Sequence, residues 1–301
     1  MASELTRDTA FFGFSPENEP VMRAKQGEKL HLTTHDCFSG QLKTTADTLE
    51  TLDWSITNPA TGPIYIEGAK PGDVLRVDLH EVKAHGPSVM IAVPDTGALG
   101  HLITEEETAI LEHRGDTVVF KDKVVVKQKP MLGVIGVAPA EGLVPNSTPG
   151  PHGGNMDCTI ITGGSRLYLT VAVEGALFGC GDMHSAMGDG EVVVCGGETP
   201  GEVTLTPEVV DIPGLPTPFL ENDEIVAVIA SAESTDAAYK LAIDMMHEFL
   251  TKIAGIPVND AAMLMSLVGY LKFCQVVDPL VTVRFEFPKS VLADYGYTLP
   301  A

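Results

Sequence analysis

Residues 74–82 read VLRVDLHEV, and the fold turns on how this stretch is read. Leu75, Val77 and Leu79 alternate with Val74, Arg76, Asp78 and His80. Successive side chains of an extended chain point to opposite faces, so the alternation predicts a half-buried strand. The preceding GAKPGD (68–73) reads as a turn feeding it. Pro71 fixes φ there, and Gly72 is free to take a positive one.

Outward from this strand the first two thirds of the chain repeat the pattern. KLHLTT (29–34), DTVVF (116–120), VVVK (124–127), LGVIGVAP (132–139), RLYLTVAVEGALF (166–178), EVVVCGG (191–197) and EVTLTPEVV (202–210) are β-branched runs. Gly, Pro and Asp separate them, as in sandwiches and barrels. Helical spacing comes late. STDAAYKLAIDMMHEFLTKIAG (234–255) sets Ala238, Leu241, Met245, Phe249 and Ile253 on one face, with Ser234 or Thr235 as cap and Gly255 and Pro257 as stop. A second helix is expected from about Asn259, with Leu264, Leu267 and Leu271 inward. The expected fold is mainly β, sandwich- and barrel-like, with a few helices in the C-terminal third (α+β overall). LVPNSTPGPHGG (143–154) has linker composition and suggests a boundary near residue 145, between β-rich parts 1–145 and 146–301.

The 301 residues carry a formal net charge of -22, with 44% hydrophobic and 20% charged residues. That is a globular composition. The excess of carboxylates argues against nucleic-acid binding and against docking to an anionic membrane. The N-terminal stretch shows no basic segment followed by an apolar one, and no run is long enough to span a bilayer. Cys37, Cys158, Cys180, Cys195 and Cys274 form an odd, scattered set without CxxC spacing, which points to a reducing cytosol.

Metal-ligand residue types concentrate in turn-like segments. HDCF (35–38) brings His35, Asp36 and Cys37; VPDTGALGHL (93–102) brings Asp95 and His101. GPHGGNMDC (150–158) brings His152, Asn155, Asp157 and Cys158. The densest is FGCGDMHSAMGDGEVV (178–193), with Asp182, His184, Asp189 and Glu191. Asp182 and His184 are two apart, so an extended backbone presents a carboxylate and an imidazole to one side. Zinc accepts both ligand types. The ordinary readings stand beside this: a strand-end hydrogen-bonding pair at His35–Asp36, a turn at Gly153–Gly154, buried small apolar residues at the cysteines. No G-x-S-x-G elbow, phosphate loop or HExxH occurs.

In order along the chain, NPATGPIYIEGAKPGDVLRVDL, GVIGVAP, PGPHGGNMD, GALFGCGDMHSAMGDGEV and QVVDPLVTVRFEFP resemble the acetamidase/formamidase family. The resemblance implies a predominantly β fold and hydrolysis of short aliphatic amides to a carboxylate and ammonia. It also implies an associated metal and a homodimer. It maps the family's HGGN-D stretch onto His152, Gly153, Gly154, Asn155 and Asp157. Its GD-x-H stretch falls on Asp182 and His184, its GDGE stretch on Asp189 and Glu191, and an early acidic position on Asp36. Two departures stand out: Met187 where relatives commonly carry Gln, and Tyr270 where they often carry an acid.

The chemistry this implies is metal-assisted amide hydrolysis. Asp36, Asp157, Asp182 and His184 are the candidate ligands of a divalent metal, zinc first and calcium as the other choice. Glu191 is the candidate acid/base with Asp189 as its substitute, and Asn155 the oxyanion donor. His152, Gly153, Gly154 and Met187 are candidate contacts of a small amide substrate. The competing readings are a non-catalytic metal module and a nucleophilic Cys158 or Cys180.

Overall fold

The structure is a computed structural model that describes residues 2–300. It is mainly β, with 38% strand and 16% helix, and the helices lie mostly in the C-terminal part. Strand Val74–Ala84 lies inside a nine-stranded sheet, between Gly201–Val210 and Arg166–Thr170. Leu79 faces Leu205 across one ladder and Val77 faces Leu167 across the other. The order runs from Ser3–Leu5 and Leu30–Thr34 on one side to Ile225–Ala232, Val281–Pro288 and Tyr270–Gln275 on the other. The sheet therefore draws strands from both sides of residue 145.

A six-stranded sheet packs on one face. Its centre is Met131–Gly136, Phe178–His184 and Ala60–Ile66, with the short Gly153–Asn155 outside. Leu75, Val77 and Leu79 interdigitate with Ile64, Leu132, Ile135 and Phe178 to form the main core. The other face is covered by helices α1 (Thr235–Glu248) and α2 (Val258–Val268). Val226, Val228, Val283 and Phe285 meet Ala238, Ala242, Met246 and Phe249 in that second core. A short α3 (Lys289–Asp294) closes the chain. A four-stranded meander, Ser88–Ala92, Glu107–Arg114, Thr117–Phe120 and Val124–Lys127, leaves its last strand exposed along its whole length.

The central strand departs from its half-buried reading. Arg76 is only 6% exposed although it points away from the main core, on the face where Tyr168 stands opposite it in the neighbouring strand. It is tolerated because Asp78 (3.1 Å) and Glu208 (2.7 Å) pair with its guanidinium. The helix cap is as expected, Ser234 Oγ accepting from the Ala237 amide at 3.2 Å. The inward stripes are met in part: Ala238 and Phe249 are buried, and Met245, Ile253 and Leu264 pack against the same core. Ala238, Ala242, Met246 and Phe249 face the sheet, and Leu241 is exposed; in α2 Ala261 and Met265 are buried while Leu267 is exposed. Leu271 lies in the edge strand Tyr270–Gln275. Small alanines let a helix sit close to a sheet, and that close approach, not side-chain size, selects the buried stripe. Among the described residues no helix is long and apolar enough to cross a membrane.

Candidate active site

The site grows from an irregularity in one strand pair. Met131–Gly136 runs antiparallel to Phe178–His184, with Met131 opposite His184 and Val134 opposite Gly181. At Asp182 the backbone turns left-handed (φ 50°), as it does at Asp157 (φ 44°) and Glu191 (φ 44°). This conformation is strained for residues with a Cβ, and strain of this kind gathers at functional sites. Asp182 and His184 do look into one space, Oδ1 to Nε2 3.6 Å, through this local twist and not through plain extension.

Glycine makes the convergence possible. A Cβ on Gly133 would overlap Asp157 Oδ1 and sit 2.6 Å from Asp182 Oδ2. Gly133→Ala is expected to push these carboxylates apart, with at least a tenfold loss of metal affinity on the scale known for misplaced ligands. Calorimetric metal titration checks this, and unchanged affinity would refute the cradle. Gly196 packs on the His184 ring, where a Cβ would come within 2.9 Å of Nδ1. From there the chain returns so that Glu198 bridges antiparallel to both His184 and Val89.

His184 Nε2 lies 2.9 Å from Glu198 Oε1 and 3.8 Å from Asp157 Oδ1. Glu198 Oε1 also accepts from the Gly196 amide at 2.9 Å. Donor atoms of Asp157, His184 and Glu191 fall within 4.8 Å of one another, and so do those of Cys37, Asp182 and Glu198. Cys37, Asp182, His184, Glu191 and Glu198 line a cavity of about 130 Å³ together with Asn155 and Asp278, and Phe38, Trp54 and Ile91 form its apolar side.

Burial pushes the Asp157 carboxyl up to about 6 and the Glu198 carboxyl up to about 8. Glu191 and Asp278 are raised well above the carboxylate range by burial and by the charge of Asp157 beside them. Burial works against an imidazolium at His184, but the Glu198 charge and the hydrogen bonds of Asp182 and Glu198 outweigh it, so its pKa rises. Asp157 Oδ1, Asp182 Oδ1, Glu191 Oε2, Glu198 Oε2 and Asp278 Oδ2 are buried without a hydrogen-bond partner. So many orphaned anionic oxygens beside one imidazole fit a multivalent cation, which removes both the repulsion and the missing partners.

Of the residues anticipated from sequence, Asp157, Asp182, His184, Glu191 and Asn155 converge here. Asp36 does not join them. Its Oδ1 accepts from the amides of Phe38 (2.9 Å) and Gly40 (3.1 Å), capping the turn that delivers Cys37. Asp189 is also engaged elsewhere: Arg284 grips both its oxygens at 2.9 and 2.7 Å, and Thr159 donates at 2.7 Å. Burial opposes its charge, but these bonds hold its carboxyl below the usual value. It anchors the Glu191 loop, so Asp189→Asn is expected to cost about 1–2 kcal/mol after allowing for its partial exposure. That appears as a thermal midpoint several degrees lower.

His152 stands behind the site, edge-on to Phe14 at 5.4 Å, its pKa lowered by burial to about 4. Gly153 and Gly154 (φ 96° and 79°) carry the chain past Ile135 and Thr148 so that Asn155 reaches the cavity. Met187 lines a neighbouring cleft. Asp95 and His101 stay outside; their loop braces the Glu191 segment, the Ala98 amide donating to Val192 O. Cys158 and Cys180 are fully buried and line neither space, and burial lifts the Cys180 thiol to about 12. Both are core side chains. All five cysteines are free thiols.

Glu198, Asp278 and Gly133 carry the site and were not singled out in the sequence. The only local signal is GGE (196–198), two glycines before an acid, and DP (278–279), which reads as a turn.

Fold and cluster together define a mainly β protein of several sheets with a buried carboxylate–imidazole centre. The acetamidase/formamidase family model matches residues 5–148 and 144–267, and the chain belongs to that family. It superposes on the crystal structure of an acetamidase from Bacillus halodurans with TM-score 0.96 and 39% identity, over 98% of this chain and 100% of that one. A recombinant predicted acetamidase/formamidase from Thermoanaerobacter tengcongensis gives TM-score 0.96 and 42% identity, over 99% of each chain. The acetamidase of Mycolicibacterium smegmatis is 24% identical over 262 residues, 64% of each chain. The chain spans 59–64% of the length of the curated relatives it matches.

Proposed function

We propose that this protein hydrolyses the C–N bond of short primary amides of the formamide/acetamide class, giving a carboxylate and ammonia, with a divalent cation at the cluster. The observation that carries the reading is the set of orphaned carboxylate oxygens around His184, at the wall of a cavity of about 130 Å³. Family membership and the likeness to a solved acetamidase support it.

Asp157, Asp182, His184 and Glu198 would hold the cation, with Cys37 at the edge of the set. Imidazole and thiol donors favour zinc over calcium, which prefers an all-oxygen set. When bound, such a cation supplies Lewis acidity, polarising a carbonyl and lowering the pKa of water. The chain's own residues do the rest. The Asn155 amide, which lines the cavity, would donate to the oxygen that gains charge as the carbonyl is attacked. Glu191 takes a proton from the attacking water and returns it to the amide nitrogen, which leaves as ammonia. Burial, and after it the charge of Asp157, raises its proton affinity, as a proton carrier needs. Ammonia release from formamide and acetamide tests this directly. The expected result is turnover that chelation abolishes and zinc restores; full turnover in a protein shown to be metal-free would defeat the metal-assisted reading, and tight metal binding without turnover would leave a structural metal module.

A further inference from the structure

A second space opens on the other side of Glu191. It is a cleft of about 610 Å³ between the four-stranded meander and the loop that carries Met187. Leu111, Val118, Phe120 and Val126 form one wall, Met187 and Val192 the other. Glu191 lines both this cleft and the polar cavity, so the proposed proton carrier forms the wall that the two spaces share. A one- or two-carbon amide leaves the cleft unused. Yet Val124, Val126 and Val192 are 51%, 39% and 47% exposed there, an apolar surface that water covers at a cost. Met187 supplies a thioether beside Val192, which keeps this wall apolar. Lys127 and Lys129 stand at the rim, in a chain with 19 basic against 41 acidic residues.

We propose that the cleft is an acyl-chain pocket, and that the protein acts on primary amides with a medium-length apolar chain, an anionic chain end being favoured by Lys127 and Lys129. This rests on the amidase reading above. The amide group sits at the carboxylate–imidazole cluster, the chain passes Glu191 and lies along Val118, Phe120 and Met187, and its far end reaches the lysines. Bond breaking is unchanged: water adds to the carbonyl and ammonia leaves.

The experiment compares acetamide, butyramide, hexanamide and the monoamide of adipic acid. kcat/KM is expected to rise about fourfold per added methylene, the equivalent of about 0.8 kcal/mol per buried CH2, chiefly through KM. Val126→Asp should lower the hexanamide-to-acetamide ratio at least tenfold. The Lys127→Glu, Lys129→Glu double variant should lower the ratio of adipic monoamide to hexanamide. A profile flat or falling beyond acetamide, in an enzyme that turns acetamide over, overturns the pocket. If no amide is hydrolysed, the amidase reading fails by itself, and calorimetric titration with hexanoate still decides: binding lost in Val126→Asp supports the cleft as an apolar-chain site, and no binding overturns it. Light scattering covers the remaining occupant, since a dimer that Val126→Asp dissociates, with the chain-length profile unmoved, assigns the cleft to a second copy and overturns the proposal.

Discussion

Glu191→Gln lowers amide turnover by about 10²–10⁴-fold, the range in which a positioned proton carrier contributes. The substitution keeps shape and one carbonyl oxygen but removes the group that can take and return a proton. A cation held as proposed is expected to stay bound, because Asp157, Asp182, His184 and Glu198 remain, and to be lost in Asp182→Ala. The same Gln variant is expected to melt higher than the parent when metal is stripped. Glu191 is buried against Asp157, and a neutral amide ends that repulsion. Activity and stability therefore move in opposite directions at one residue, as they do where a site is built against the fold's preference. Ammonia release, elemental analysis and thermal melts on the same preparations check the three effects, and turnover within threefold of the parent would remove Glu191 from the proton-transfer role.

The chelated protein is expected to lose stability as pH rises from about 4.5 to 8, and a protein loaded with the proposed cation is expected to keep it. Asp157 is raised from 3.8 to about 6 and Glu198 from 4.5 to about 8, burial being the main cause for each. Glu191, Asp278 and His184 are shifted upward too. A carboxyl whose folded pKa is raised contributes its full share below the unfolded pKa and loses it as pH climbs to the folded one. A raised histidine acts in the same direction. In this window the folded state binds more protons than the unfolded state, so each such group lowers stability by up to about 1.4 kcal/mol per pH unit. A cation displaces those protons, and its affinity rises with pH. Thermal midpoints at half-unit pH steps, with and without chelator, should diverge toward pH 8. A chelated protein whose midpoint is level or rises across the window contradicts the buried-carboxylate account.

The family reading and the legible part of the site have a common physical origin. Strand alternation and left-handed or glycine-rich turns are local, so VLRVDLHEV and GCGDMH announce a strand and a ligand pair within a few residues. Asp182 and His184 are two positions apart and meet in space because one backbone carries both. Asp36 and Asp189 look the same in sequence, but a carboxylate's role depends on the donor nearest to it. For Asp36 that is the pair of amides in its own turn, and for Asp189 it is Arg284, 95 residues away.

The amino-acid sequence by itself determined a mainly β chain with late helices, the Ser234 cap, the absence of a long apolar span and the acid-rich glycine loops. Those features follow from side-chain period, backbone freedom and charge, which each residue carries with it. Only the tertiary structure decided that Arg76 is buried between Asp78 and Glu208 and that Gly133 clears a space for two carboxylates. It likewise decided that Glu198 on the return of the same loop, and Asp278 from a distant segment, join the centre, and that Met187 lines an apolar cleft. The reason is that burial, pKa and ligand geometry are properties of neighbours across strands, and a residue's neighbours are set by the packing of the whole chain.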